Sequence, residues 1–379
     1  MLVQTIKRHP WIRVFIDLKL TTVCLFLLFL LTFLGTMHQV ENGLYDAQKR
    51  YFESWFVLVG GFLPLPGAQL VLWVLFINLL AATIVRFVYS LARIGILIIH
   101  LGIYILFVGM FFTHYFAQES FLTLQEGEGR NVVTDYFEWE LATWKQGEPS
   151  RRIVSADARN LAEGRRIDFT RYGFAVEVEE FHPNARAYLQ RPGETVEFVN
   201  MSGIGSFEPV SASRKPEENL PAALIRVAFP NSEDHRVFLF GGDINPVTLS
   251  YGGNRFAFSL RKMRFEIPFV VHLEDFRAEF YPESDKPKSF ESDVRIEAPE
   301  IARKVRISMN KPLRTRGYTF YQASYAIGAS GDESSTFAVV RNRGRLVPYF
   351  ATLVIGSGLI VHFVLMLLKP IARRKRLAS

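Results

Sequence analysis

The sequence predicts an integral membrane protein of mixed architecture: three transmembrane helices, a large all-β extracytoplasmic domain, and a fourth transmembrane helix near the C-terminus. Three observations predict it. Apolar runs long enough to span a bilayer lie at 18–35, 68–88, 94–116 and 346–368, yet mean hydropathy over the 379 residues is only +0.13, so much of the chain must be water-soluble. Between Ala117 and Arg345 the apolar residues alternate with period two, the pattern of half-buried strands. Basic residues flank the apolar runs: Lys7, Arg8, Arg13 and Lys19 before the first, Arg86 and Arg93 between the second and third, and Lys369, Arg373, Arg374, Lys375 and Arg376 after the last. That is the positive-inside pattern.

Residues 1–17 form a basic, aromatic cytoplasmic leader, and 18–116 a three-helix membrane region. The first span, Leu18–Gly35, is flanked like a signal peptide, but no small-x-small cleavage site follows, so it is expected to stay as an anchor. Cys24 within it is a small packing residue. Residues 36–67 make an external loop in which Tyr51–Phe56 (YFESWF) reads as an interfacial aromatic segment and His38 as an interfacial polar residue, with Pro64 and Pro66 breaking regular structure. The second span, Ala68–Val88, carries Asn78, whose amide is expected to link helices.

The third span, Ile94–Phe116 (IGILIIHLGIYILFVGMFFTHYF), contains no Lys, Arg, Asp or Glu. Helical spacing puts His100, Tyr104, Phe107, Phe111 and His114 along one side and Gly95, Gly102 and Gly109 on roughly the opposite one. The glycine side admits a close helix neighbour. An imidazole in hydrocarbon needs a partner. It either hydrogen-bonds a neighbouring helix, with the aromatics as packing, or ligates a flat aromatic group such as haem.

From 117 to 345 the chain reads as an antiparallel β domain, expected as two packed sheets. Phe174, Val176 and Val178 alternate with polar or small neighbours, as do Ile225, Val227 and Phe229, and Phe265 through Leu273 make a longer alternating run. Residues 346–368 form the fourth span and 369–379 a cytoplasmic basic tail. His362 lies near the basic end, at a depth like that of His100 if the spans alternate, and is either a packing residue or a partner for it.

Several functions are excluded. The basic charge of +7 clusters at membrane flanks, which argues against nucleic acid as partner and for the lipid bilayer. The single cysteine allows no intrachain disulfide, and no CxxCH site occurs, so the chain is not itself a c-type cytochrome. No P-loop, GxGxxG, HExxH or GxSxG motif is present, and His182, His235 and His272 have no metal-ligand spacing.

The layout and several stretches resemble the ResB family of System II cytochrome c biogenesis: LKLTTVCLFLLFLLTFLGT, YFESWF, INLLAATIVRF, HLEDFRAEFYPESDKPKSFESDVRI at 272–296 and NKPLRTRGYTFYQASY at 310–325. Many relatives carry Asp-Pro-Gly before the last span, where this chain has RNRGR (341–345). The resemblance implies a bacterial inner (cytoplasmic) membrane protein, multi-pass, with its large domain in the periplasm or on the outside face. It implies work with a Trp-rich ResC/CcsA-type membrane partner to move haem b across the membrane and present it to the CxxCH thiols of apocytochrome c. This chain has five Trp and no WWD run, so it is not that partner. The family's haem-associated histidine maps onto His100 as an axial ligand, with no catalytic residue of its own, so enzyme activity is not expected of this chain alone. Tyr104 and Phe107 would pack on the porphyrin. A partner histidine is implied as the second ligand, with His362 the in-chain alternative. His114, about 21 Å further along the helix, would mark an outer haem position or an interfacial aromatic belt. The other reading is a non-enzymatic anchor or scaffold whose β domain docks a partner.

Overall fold

The computed structural model describes residues 10–148, 152–193, 195–213, 215–284, 286–299, 301–328 and 331–377. The first nine residues of the leader and Ala378–Ser379 of the tail lie outside the described residues. The chain divides into two compact units, Met1–Gln118 with Asn342–Ser379, and Glu119–Arg341.

The first unit is helical. Its main helices are α1 (Leu18–Ala47), α2 (Ala68–Ala81), α3 (Ile94–Phe116) and α4 (Val347–Leu377). Among the described residues four segments are long and apolar enough to cross a membrane, three before the sheet-rich unit in sequence and one after it. α1 runs twelve residues beyond the expected Gly35, because Thr36–Asn42 contains neither Gly nor Pro. It bends only at Gly43, where φ is +81°, and His38 Nε2 meets Asp46 Oδ2 at 2.6 Å across that bend. Most of the expected 36–67 loop is therefore regular: helix to Ala47, a π turn at Gln48–Phe52, and a hairpin of β1 (Phe56–Val59) and β2 (Leu63–Pro66). Pro64 and Pro66 do not break it, since a two-stranded hairpin leaves edges where a missing N–H costs nothing. YFESWF splits: Tyr51 is buried with Cys24, Leu31 and Val71, while Trp55 and Phe56 are exposed.

The glycine stripe of α3 faces α4. A Cβ on Gly95 would lie 2.5 Å from His362 N and 2.8 Å from Gly358 O, and one on Gly102 would lie 2.5 Å from Ile355 Cγ1 and 3.0 Å from Ala351 O. Gly109 meets Val347 in the same way. Small residues at seven-residue spacing let the two backbones touch. Asn78 ties α1 to α2: its Oδ1 accepts from Thr21 Oγ1 at 2.5 Å, and its Nδ2 donates to Phe15 O and Asp17 O at 2.7 and 3.1 Å.

The second unit is all β. Its ten-stranded antiparallel sheet is centred on two long strands, β4 (Gly129–Lys145) and β13 (Asn254–Phe280). β13 is shared by two cores. Phe256, Phe258 and Leu260 pack with Phe174, Val176 and Ile225 of a separate four-stranded sheet. Ile267, Phe269, Val271 and Leu273 line a second core with Phe320 and Phe337. The change of partner falls between Leu260 and Phe265, where the register breaks between Lys262 and Arg264; a second break, between Glu266 and Val271, contains Pro268, a residue with no N–H for a ladder. Around the second core the large sheet curls on itself. Ser292 Oγ donates to Gln322 Oε1 at 2.9 Å and Gln322 Nε2 to Ser335 Oγ at 2.8 Å, joining β14 (Pro287–Ala298) to β17 (Tyr318–Ile327) and β18 (Glu333–Arg341), which are remote from β14 in strand order.

Candidate functional site

Where α2 ends, its backbone loosens into a π turn at Ala82–Arg86, held by the Tyr89 hydroxyl donating to Thr83 O at 2.8 Å. Such turns widen a helix and recur at functional positions. The π turn presents the buried Thr83 side chain to α3. Two side chains one turn apart on α3 converge on it. His100 Nδ1 lies 3.0 Å from Thr83 Oγ1, and the Tyr104 hydroxyl donates to the same oxygen at 2.6 Å and to Leu79 O at 3.1 Å. Phe87, just past the turn, sets its ring 6.2 Å from the imidazole.

The His100 ring is thus gripped at one nitrogen. Among the described residues no hydrogen bond engages Nε2, nor is it an enclosed unpartnered atom, a condition met by Thr143 Oγ1 and His362 Nδ1. Coordination through Nε2 requires the proton on Nδ1, and Thr83 Oγ1 is the acceptor in place for it. A hydroxyl oxygen has two lone pairs, so it can accept from both His100 and Tyr104.

An aromatic seam leads away from this cluster between α2 and α3. Phe76 lies 6.1 Å from Tyr104 and 5.4 Å from Phe107, and Trp73 lies 6.1 Å from Phe76 and 6.2 Å from Phe111. Tyr115 continues it, 4.6 Å from Phe111 and 4.8 Å from His114. The structure therefore brings His100, Tyr104, Phe107 and His114 onto one seam. It does not bring His362 to them: the His362 backbone sits against Gly95, on the glycine side of α3. Five residues separate Gly95 from His100, which puts His362 about 7.5 Å nearer the basic end by helical rise.

Thr83, Phe76 and Trp73 carry no role in the sequence reading. Thr83 is a hydroxyl in an apolar run, which was a visible signal, but the π turn that aims it has no sequence signature. Trp73 and Phe76, three residues apart, mark one face of α2.

Fold and site together define a class: a chain with four membrane-length apolar helices, a sheet-rich unit, and a histidine held between two of the helices. Residues 247–348 match the ResB-like family. The matched segment runs from β12 (Val247–Tyr251) to the start of α4, while the histidine seam lies outside it, in α2 and α3. No curated protein is significantly similar to this chain.

Proposed function

We propose that this chain is the haem-handling subunit of a System II cytochrome c biogenesis complex. It would take haem b between α2 and α3, move it across the cytoplasmic membrane, and present it for attachment to the CxxCH thiols of apocytochrome c, with a Trp-rich ResC/CcsA-type protein as partner. The observation that carries the reading is His100, fixed by Thr83 at Nδ1 with Nε2 unengaged, on an aromatic seam, in a chain with a ResB-like segment. In this reading His100 is an axial ligand, Thr83 holds its tautomer, and Tyr104 and Phe107 face the ring. His362, on the far side of α3, is left to packing, and the second ligand comes from the partner. In this reading both termini lie in the cytoplasm and the β unit outside, which the positive-inside charge pattern supports.

The scaffold reading is favoured by one observation, that the Thr83 contact already gives Nδ1 of the half-buried imidazole a partner. The two separate on haem. The purified complex should show a haem absorption spectrum that His100→Ala removes while the partner still co-purifies. A complex that carries no haem, or carries it unchanged in that variant, contradicts the haem reading.

A further inference from the structure

At the end of α2 and α3 remote from the Arg86–Arg93 turn, a cavity of about 520 Å³ opens between the Gln48–Phe52 π turn, the start of α2 and the last turns of α3. Its walls are the rings of Trp73, Phe76, Phe107, Phe111 and Tyr115, in the T-shaped and tilted contacts of the seam. Four polar side chains reach it from three elements: Gln48, Glu53, Gln69 and His114. An apolar pocket of ~300–1,000 Å³ with a few convergent polar groups is the usual make-up of a small-molecule site.

Charge narrows the ligand. Among the described residues no Lys or Arg lines the cavity, and Glu53 does. The two cations of the neighbouring π turn are directed elsewhere: Lys49 Nζ lies 4.6 Å over the Tyr45 ring, and Arg50 Nη2 donates to Leu58 O at 2.8 Å. A propionate or phosphate placed here would lose its hydration beside a carboxylate with no counter-charge, which is costly. A neutral ring bearing carbonyl oxygens meets the opposite situation. The Gln48 and Gln69 amides and the His114 imidazole supply N–H donors for carbonyls, and the aromatic walls supply ring contact. Val108 and Met110, at 49% and 51% exposure on the cavity's edge, offer an apolar way out for a tail.

We propose that this cavity is a binding site for a neutral, carbonyl-bearing ring of the quinone class, with its apolar tail leaving past Val108 and Met110. The site shares Phe107 with the haem reading but does not rest on that reading.

The test is a titration of the full chain in nanodiscs with decylubiquinone, read by tryptophan fluorescence, since Trp73 forms a wall. Saturable quenching should largely disappear in Trp73→Phe, and affinity should fall about tenfold in Gln69→Leu and in His114→Leu, each of which removes a donor. Non-saturating quenching, or wild-type affinity in both donor variants, overturns the assignment. So does saturation by haemin with a His114-dependent Soret shift, which would make the cavity a porphyrin site. A second measurement is independent of the donor variants' folding: with Cys24→Ala, a cysteine placed by Val108→Cys should react more slowly with maleimide when decylubiquinone is present. An unchanged labelling rate at saturating quinone likewise overturns it.

Discussion

Replacing Thr83 by Val keeps the shape of the side chain and deletes the oxygen on which His100 and Tyr104 converge. The fold should tolerate this. Tyr104 keeps its bond to Leu79 O at 3.1 Å, so the helix pair loses roughly one intramembrane hydrogen bond, about 0.6–1 kcal/mol. Haem binding should suffer more. Without the acceptor 3.0 Å from Nδ1, the ring loses both its preferred tautomer and its orientation. Removing an outer partner of a ligating histidine typically weakens metal binding about 10- to 100-fold, or ~1.4–2.7 kcal/mol. The assay is a haem titration of the purified complex followed at the Soret band, with a thermal melt of the same sample. Thr83→Val should bind 10- to 100-fold more weakly with a small change in melting, and Thr83→Ser, which restores the hydroxyl, should recover most of the loss. Binding by Thr83→Val within about twofold of wild type would refute the positioning role, because that lies well below the lost-partner effect. A Ser variant as weak as the Val variant would refute it too.

Three further outcomes follow from the structure. Gly102→Val should separate α3 from α4, since the added carbons meet Ile355 and the immovable Ala351 O; a loss of about 1–3 kcal/mol in detergent unfolding is expected, and an unchanged melt would contradict the close contact. Asp293 is held down to about 2, chiefly by the Arg306 guanidinium with Arg277 assisting, so the stability it adds is present at neutral pH and is lost as the pH falls from about 4 through 2. Asp293→Asn should therefore flatten the melting-temperature profile over that window, and an unaltered profile would dismiss the linkage. With Cys24→Ala, a cysteine at Ser213 should react with an impermeant maleimide only from outside the cell, and labelling from the cytoplasmic side would reverse the proposed topology.

Much of the fold is legible because it rests on periodicities. The seven-residue glycine spacing of α3 pointed to a close helix neighbour, and α4 fills that place through Gly358, Ile355 and Val347. The period-two runs around Val176, Val227 and Val271 are core strands. Asn78 joins helices, as an amide in an apolar run should. Other features escaped because they depend on tertiary partners. The extension of α1 past Gly35 and the hairpin around Pro64 are set by packing of Tyr51 and Val57 against α1 and α2. The curl of the large sheet is pinned by a buried Ser292–Gln322–Ser335 knot between strands distant in sequence. At the site, the stripe from His100 to His114 could be read from helical spacing, but Thr83 could not, because only the π turn at Ala82–Arg86 aims it at the imidazole. His362 matched His100 in depth by counting, yet counting along one helix does not say which face of the other it meets.

The central claim is that His100 ligates haem, and substitution with an exogenous ligand tests it most directly. In the full complex, His100→Gly removes the imidazole and leaves room for a free one beside Thr83. This variant should lose the haem spectrum and cytochrome c maturation, and added imidazole should restore both. Full haem content with an unaltered spectrum in His100→Gly would contradict it.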